Sequence, residues 1–195
     1  MALSPKERLA RAKRVRLALM DIDGVLTNGV IYHFVNDDGS LVEFKGVHAQ
    51  DSIALSWLPQ HGISTGFISG RNSLGMQERL KMLKASHIYQ GRLDKLAVFE
   101  EILAKERLGA ADALYMGDDL PDIPVLKACG LGIAPANARP EVKAAAGWVT
   151  KAAGGNAAVR EVVQYVLDAQ GKWGDVLRKF GASDTIKRGP RQKNA

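Results

Sequence analysis

Two aspartates, Asp21 and Asp23, stand one residue apart directly after the apolar run Leu17–Met20. This run does not alternate between apolar and polar residues, so it predicts a short strand that is covered on both faces of a sheet. Asp21 would then lie at the carboxyl end of that strand, where ligands bind in open α/β sheets. Taken alone, the pair is explained equally well by a solvated turn at Asp23-Gly24.

Three further groups of polar residues occupy similar places, at the end of a predicted strand or the start of a predicted helix. Each has an ordinary structural explanation, as a turn serine, a solvated lysine or helix caps. Their shared position at one edge of the sheet nevertheless predicts a single site. They are Ser69 after "ISTGFI", Lys95 in "YQGRLDK", and Asp118, Asp119 and Asp122 in "GDDLPD".

These residue types suit phosphoryl transfer. Carboxylates on neighbouring strand ends repel one another unless a cation lies between them, and oxygen ligands without His or Cys suit Mg²⁺. The hydroxyl of Ser69 and the ammonium of Lys95 would neutralise a transferring phosphoryl group. A carboxylate beside the metal and a lysine stays ionised and can attack phosphorus, and the aspartate two residues later can act as general acid and base.

The rest of the chain predicts the scaffold that would position this site. Apolar runs alternate with segments of helical periodicity between residues 15 and 182. This alternation predicts one domain with an α/β fold and a doubly wound parallel sheet. "VIYHFV" and "LVEFKG" flank Asp38-Gly39 and predict a β-hairpin that projects from the first strand-to-helix connection. We expect Asp51 to cap the helix that follows, which ends at Gly62.

Composition and charge limit the classes of function. The chain has 195 residues, 46% of them hydrophobic, and a formal net charge of +6. Residues 1–16 and 183–195 together carry +8, which leaves −2 for the body between them. An acidic body without aromatic platforms argues against nucleic-acid binding. We expect residues 1–14 to be a solvated, mobile basic segment and residues 183–195 to be a disordered basic tail.

The sequence also indicates where the protein works. Cys129 is its single cysteine, so no disulfide within the chain is possible and a reducing compartment is favoured. No apolar run has membrane-spanning length, and the first residues lack the apolar core of a signal peptide. We therefore expect a cytoplasmic protein that does not bind membranes.

The motifs resemble those of the haloacid dehalogenase superfamily of aspartate-nucleophile phosphohydrolases. "DIDGVLTNG", "ISG", the lysine of "YQGRLDK" and "GDDLPD" match its four motifs in order. The resemblance implies that Asp21 is the nucleophile and Asp23 the general acid and base. It implies that Mg²⁺ is held by Asp21, the backbone carbonyl of Asp23 and Asp118. Asp119 and Asp122 would support these ligands.

A narrower resemblance points to the capless phosphatases of 3-deoxy-D-manno-octulosonate 8-phosphate, which act in lipopolysaccharide precursor synthesis. The intervals from Asp23 to Ser69 and from Ser69 to Lys95 leave no room for a cap domain. A guanidinium group suits the carboxylate of a sugar acid. The resemblance implies a homotetramer in which a neighbouring subunit and a C-terminal segment cover the active site. It also implies substrate contacts at Gly70, Arg71 and Arg79.

The sequence departs from this group near the expected substrate entrance. Gln50, Ser52 and Ala54 replace an arginine and two glycines, and Asn28 replaces a common aspartate. A phosphatase for another phosphorylated sugar acid, such as a nonulosonate 9-phosphate, is therefore the main alternative. A non-catalytic module like a phospho-receiver domain is a weaker one. In that module the lysine follows both acidic elements, whereas Lys95 precedes "GDDLPD".

Overall fold

Six parallel strands form the central sheet of the computed structural model, which describes residues 2–182. In chain order the strands of the protein are β1 (Leu17–Met20), β2 (Tyr32–Val35), β3 (Leu41–Phe44), β4 (Ser64–Ile68), β5 (His87–Tyr89), β6 (Ala113–Met116), β7 (Leu131–Ala134) and β8 (Trp148–Val149). The sheet has the order β5-β4-β1-β6-β7-β8, so the chain winds outward from β1 in both directions. The predicted basic tail at 183–195 lies outside the described residues.

Helices cover both faces of the sheet. They are α1 (Pro5–Ala12), α2 (Ala49–Leu55), α3 (Trp57–Gln60), α4 (Leu74–Met82), α5 (Lys95–Glu106), α6 (Ile123–Ala128), α7 (Pro140–Ala145), α8 (Ala158–Ala169) and α9 (Trp173–Lys179). One apolar cluster joins the sheet to α2, α3, α4, α8 and α9, and a second joins it to α5, α6 and α7. The predicted doubly wound α/β fold is confirmed. Between residues 2 and 182, none of the helices combines the length and apolarity needed to cross a bilayer.

Strand β1 lies in the middle of the sheet and fixes where the polar residues meet. All four of its residues are buried, as expected for a strand with helices on both faces. It pairs with β4 and β6 in parallel, and Met20 is opposite both Phe67 and Met116. The three strands therefore end at one level, and the residues that follow them share one edge of the sheet.

Strands β2 and β3 form the predicted hairpin between β1 and α2. Its turn contains Gly39, whose positive φ of 82° suits glycine. Tyr32 lies opposite Phe44 in the ladder, and their rings stack with centroids 5.3 Å apart. The side chains of Tyr32, Phe34 and Phe44 are each about half exposed. The hairpin thus carries an uncovered aromatic face, and its paired strands are shorter than the apolar runs suggested.

The first residues of the chain differ from the expectation of a solvated, mobile segment. Residues 5–12 form α1, which begins with a reciprocal capping box between Ser4 and Glu7. The guanidinium of Arg8 lies 5.0 Å from the ring centroid of Trp148, and Ala12 is fully buried. The segment is therefore an ordered helix held at Arg8 and Ala12, while most of its basic side chains remain exposed as expected.

The prediction that Asp51 caps its own helix is wrong. His48 precedes α2 and accepts the backbone N–H of Gln50, while Asp51 lies inside the first turn. The fully buried carboxylate of Asp51 instead accepts backbone N–H groups at the start of α8. Tertiary packing places a distant helix end within reach, and the segment up to Gly62 forms the two short helices α2 and α3.

Cys129 follows α6 and is buried. Burial raises the pKa of its thiol to about 12. The thiol therefore remains protonated at neutral pH and acts as a small apolar group.

Candidate active site

Asp21 lies at the carboxyl end of β1, in contact with the neighbouring strand. Its backbone N–H donates to the carbonyl of Met116, and its Oδ1 accepts the N–H of Ile22 at 2.7 Å. The chain then turns tightly over Ile22–Leu26, with a positive φ of 86° at Gly24. A Cβ atom at Gly24 would overlap the carboxylate of Asp118. Glycine is required there because the first turn and the loop after β6 approach each other so closely.

Lys95 connects the two acidic elements. Its Nζ lies 2.9 Å from Oδ2 of Asp21 and 2.7 Å from Oδ1 of Asp122. The side chain is 4% exposed, so these contacts lie in a region of low dielectric. Lys95 is the first residue of α5, and Asp94 caps this helix by accepting the N–H of Ala97. The cap fixes the first turn of α5 and thereby the position from which the Lys95 side chain extends.

Asp122 organises the loop that follows β6. Its Oδ2 accepts the backbone N–H groups of Asp118 and Asp119, at 3.0 and 3.1 Å. Its Oδ1 accepts both Lys95 and, at 2.6 Å, the hydroxyl of the fully buried Tyr115. Asp122 therefore holds the loop of Asp118 and Asp119 and contacts Lys95; its predicted role in supporting the metal ligands stays a prediction. Asp119 is exposed, and its carboxylate accepts the N–H of Leu120. This contact stabilises the local turn, and the predicted support of the metal ligands by Asp119 stays a prediction.

Three carboxylates form a cluster that fits a cation. Oxygens of Asp21, Asp118 and Asp122 lie within 4.8 Å of one another. Both oxygens of Asp122 already have donors, whereas Oδ1 of Asp118 is buried and accepts no hydrogen bond from residues 2–182. A buried acceptor without a donor is costly unless a ligand fills the space. Hard oxygen donors of this kind suit Mg²⁺.

The protonation of the cluster reflects the crowding of its charges. Burial, followed by repulsion from Asp21 and Asp122, raises the pKa of Asp118 to about 7. Burial also raises the pKa of Asp21, although Lys95 opposes the shift. For Lys95 burial favours the neutral amine, but Asp21 and Asp122 outweigh it and raise its pKa. A divalent cation beside Asp21 and Asp118 would favour their ionised forms.

Ser69 follows β4 at the same edge of the sheet. It is 3% exposed, and its backbone N–H donates to the carbonyl of Tyr89. Its Oγ accepts the N–H of Arg71 at 3.2 Å and keeps its own proton for another acceptor. Gly70 lies beside it, and a Cβ atom there would be 3.0 Å from Leu93. The predicted substrate contact of Gly70 stays a prediction.

The side chain of Asp23 belongs to a second group of charges, at the base of the hairpin. Its Oδ2 accepts Nζ of Lys45 at 2.9 Å and lies 3.8 Å from Nε of Arg71. Lys45 also lies 3.2 Å from Glu43, which in turn pairs with Arg71 at 2.9 Å. Asp23 thus does not join the carboxylate cluster through its side chain. The predicted metal contact through its backbone carbonyl is unaffected and stays a prediction.

Lys45 and Glu43 were not among the site residues predicted from the sequence. The Lys45 side chain is only 2% exposed, which is rare for lysine and is explained by its two carboxylate partners. A signal was present in "LVEFKG", because Glu43 and Lys45 are two residues apart and so share a face of the extended chain. Nothing local indicated that this face would turn toward Asp23.

Arg79 lies further from the carboxylates, on α4. Its guanidinium donates to the Oγ of Ser52 at 2.9 Å. Ser52 is one of the positions where the sequence departs from the expected pattern. Arg79 and Lys45 line opposite sides of a cleft of about 280 Å³ between the hairpin and α4. The cleft adjoins the Asp23 group. The structure therefore places Arg79 where a substrate could extend and not beside the predicted nucleophile.

Comparison with known proteins assigns the family. The profile of the haloacid dehalogenase-like hydrolases matches residues 83–162. The 3-deoxy-D-manno-octulosonate 8-phosphate phosphatase KdsC of Escherichia coli is 37% identical over 164 residues, which cover 84% of this chain and 85% of that protein. The chain belongs to the haloacid dehalogenase-like hydrolases. The resemblance inferred from the motifs is thereby confirmed.

Solved structures of the family share the fold. The 3-deoxy-D-manno-octulosonate 8-phosphate phosphatase of Moraxella catarrhalis, crystallised with magnesium, phosphate and KDO, has a TM-score of 0.85 and 36% identity. The match covers 91% of this chain and 99% of that one. The corresponding phosphatase of Yersinia pestis gives a TM-score of 0.81 and 36% identity, with 86% and 88% covered. These haloacid dehalogenase-like hydrolases therefore correspond to the present chain over nearly its whole described length.

Proposed function

We propose that the protein is a magnesium-dependent phosphatase that releases phosphate from 3-deoxy-D-manno-octulosonate 8-phosphate. The observation that carries the reaction class is the contact of Lys95 with Asp21, next to the unpaired carboxylate oxygen of Asp118. A buried carboxylate beside a fixed ammonium and a place for a cation is what attack on a phosphate ester requires.

The reaction has two steps, formation of an aspartyl phosphate on Asp21 and its hydrolysis by water. A carboxylate oxygen of Asp21 attacks phosphorus, and the bond between phosphorus and the sugar oxygen breaks. Asp23 acts in its protonated form and gives that proton to the leaving oxygen. The resulting carboxylate then takes a proton from the water that attacks the phosphorus of the aspartyl phosphate, which restores the acid. The bond from phosphorus to Asp21 breaks, and phosphate leaves. Lys95 and Ser69 hold phosphate oxygens throughout, because both are fixed by buried contacts.

The cation site would be formed by Asp21, Asp118 and the backbone carbonyl of Asp23. Bound Mg²⁺ supplies neutralisation of the phosphate charge and of the crowded carboxylates. Asp122 stays outside this set because its oxygens are saturated by Lys95, Tyr115 and backbone donors. Its part is to hold the loop of Asp118 in place.

The substrate proposal rests on two arginines, one beside Asp23 and one in the cleft, and on the relatives. Arg71 is half exposed beside Asp23, and Arg79 lines the cleft that continues from it. A sugar acid bound by its phosphate at Lys95 could direct its carboxylate to one of these guanidinium groups. The relatives named as phosphatases of 3-deoxy-D-manno-octulosonate 8-phosphate support this substrate.

The departure at Ser52 leaves a second candidate, a phosphatase for another phosphorylated sugar acid such as a nonulosonate 9-phosphate. Ser52 stands where a glycine was expected, and its hydroxyl accepts a hydrogen bond from Arg79. This bond uses one N–H group of Arg79, so that group is not free to bind a substrate carboxylate in the cleft. Departures at Gln50 and Ala54 lie on the same helix, α2.

The experiment is phosphate release from a panel of phosphorylated sugar acids, hexose phosphates and nucleotides, in excess Mg²⁺. We expect kcat/KM to be highest for 3-deoxy-D-manno-octulosonate 8-phosphate. A higher value for a nonulosonate 9-phosphate would favour the second candidate. Ser52→Gly then tests the cause, because freeing Arg79 should shift the preference between the two sugar acids. Absence of any phosphatase activity would refute the proposal.

We also propose that the protein assembles as a homotetramer and works in the cytoplasm. The aromatic face of the hairpin supports assembly, because Tyr32, Phe34 and Phe44 leave about half of their area exposed on an isolated pair of strands. Such a hairpin is marginally stable in water and gains by burial against copies of itself. The single buried cysteine supports a reducing compartment. Light scattering at assay concentration tests the assembly, and an active monomer would contradict it.

A further inference from the structure

Asp51 is a fully buried carboxylate that holds the start of a helix distant in sequence. Its Oδ1 accepts the backbone N–H of Arg160 at 2.7 Å, and its Oδ2 accepts that of Ala157 at 3.2 Å. Ala157 precedes α8 with a positive φ of 69°, and its methyl side chain cannot cap the helix. Asp51 therefore satisfies helix donors that the sequence around α8 leaves without a partner.

The segment held in this way lies directly behind the turn that carries Asp21 and Asp23. The N–H of Gly155 donates to the carbonyl of Val25 at 3.0 Å. A Cβ atom at Gly154 would overlap the carbonyl of Gly24, so no side chain fits between the two backbones. We call residues 153–157 the backing loop. Its closeness to the turn makes the position of one depend on the position of the other.

Asn137 joins the backing loop to the same turn from the other side. Its Nδ2 donates to the carbonyl of Gly24 at 2.9 Å, and its Oδ1 accepts the N–H of Gly154 at 2.6 Å. Gly24 is also the residue against which Asp118 packs. The carbonyl groups of the turn are thus held by donors from the backing loop and from Asn137, both remote from β1 in sequence.

We propose that Asp51 is a positioning residue of the phosphatase, which fixes the catalytic turn through the backing loop. The inference rests on the proposed function and adds a residue that does not touch the reacting atoms. Asp51 acts on the backbone of the turn, whose carbonyl at Asp23 is the proposed metal contact. Ser52, the next residue, accepts a hydrogen bond from Arg79. Helix α2 therefore contacts both the cleft, through Ser52, and the end of the backing loop, through Asp51.

The test compares Asp51→Asn with Asp112→Asn. An amide has one acceptor oxygen in place of two, and its NH₂ group would face a backbone donor. Asp112 offers a control of the same residue type. Its partly exposed carboxylate accepts the backbone N–H of Gly109 and pairs with Arg14, at the opposite edge of the sheet. We expect Asp51→Asn to lower kcat about tenfold, as for other residues that orient a metal site indirectly, and to leave KM within about twofold. Asp112→Asn should leave both unchanged.

Magnesium affinity is the second readout, measured by calorimetry without substrate. Asp51→Asn should weaken it about tenfold. Equal affinity and equal kcat in the two variants would overturn the inference. If wild-type protein hydrolyses no sugar-acid phosphate, the proposed function fails, while the affinity measurement still tests Asp51.

A double-mutant cycle with Asn137→Ala separates positioning from general stability. If both residues act through the backing loop, the loss of kcat in the double variant will be smaller than the product of the single losses. If the loss of kcat in the double variant equals the product of the two single losses, the two residues act independently, which would contradict a common action through the backing loop. Should Asp51→Asn fail to fold, Asp51→Glu keeps both acceptors at a shifted position and takes its place in the cycle.

Discussion

Without a bound cation, the stability of the protein should fall as the pH rises, and Asp118 should be a main cause. Burial and the neighbouring carboxylates raise the pKa of Asp118 from 3.8 to about 7. The folded protein therefore binds this proton more tightly than the unfolded chain does. The resulting stabilisation is complete below the unfolded pKa and is lost as the pH rises through about 7.

The size of the effect follows from the two pKa values. Between pH 5 and pH 8 they correspond to a loss of about 3 kcal/mol in the free energy of unfolding. Asp118 is partly exposed, and solvent screening reduces the loss to about 1–2 kcal/mol. Asp118→Asn removes the titrating group. The variant should therefore lack this part of the pH dependence.

Urea unfolding in EDTA at pH 5 and pH 8 measures the difference directly, with wild type and Asp118→Asn compared at each pH. Adding Mg²⁺ at pH 8 should restore the stability of the wild type and leave the variant unchanged, because a ligand stabilises the state that binds it. An identical pH dependence in the two proteins would refute the account of the crowded carboxylates. Stabilisation of the variant by Mg²⁺ equal to that of the wild type would refute Asp118 as a ligand.

Four further variants test the site and the hairpin. Asp21→Asn should abolish turnover, since an amide is not a competent nucleophile, and phosphate release at the wild-type rate would exclude a covalent intermediate on Asp21. Asp23→Asn should slow both chemical steps, and rapid quench should detect whether the aspartyl phosphate accumulates. Tyr115→Phe removes one donor to Asp122 and should cost about 1 kcal/mol of stability in urea unfolding, with a several-fold lower kcat. Replacement of both Tyr32 and Phe34 by serine should lower the mass in light scattering together with activity; unchanged mass would count against assembly through the hairpin.

Much of the site follows from local sequence patterns. A run of four apolar residues is enough to indicate β1, and parallel pairing then places Asp21, Ser69 and Asp118 at one edge. The contact of Lys95 with Asp21 follows from the same topology, because α5 begins at that edge. The capping box of Ser4 and Glu7 was also visible as a serine followed three residues later by glutamate, and it would have predicted α1.

The remainder depends on contacts that no local pattern contains. Asp51 and Arg160 are separated by 109 residues, and only the packing of α2 against α8 brings them together. Asn137 reaches Gly24 across 113 residues in the same way. Lys45 meets Asp23 because the hairpin folds back over the site. In each case a polar group is placed by the tertiary fold, and its own neighbours in sequence indicate only local secondary structure.

The buried position of Cys129 has a practical consequence for following the hairpin in solution. With a thiol pKa of about 12, the thiolate fraction at pH 8 is about one in ten thousand, and the sulfur is also shielded from reagents. A cysteine introduced at the hairpin tip, as Asn36→Cys, would therefore be modified selectively by a maleimide dye in the otherwise native chain. Its fluorescence would then report the environment of the hairpin while phosphate release is recorded in the same cuvette.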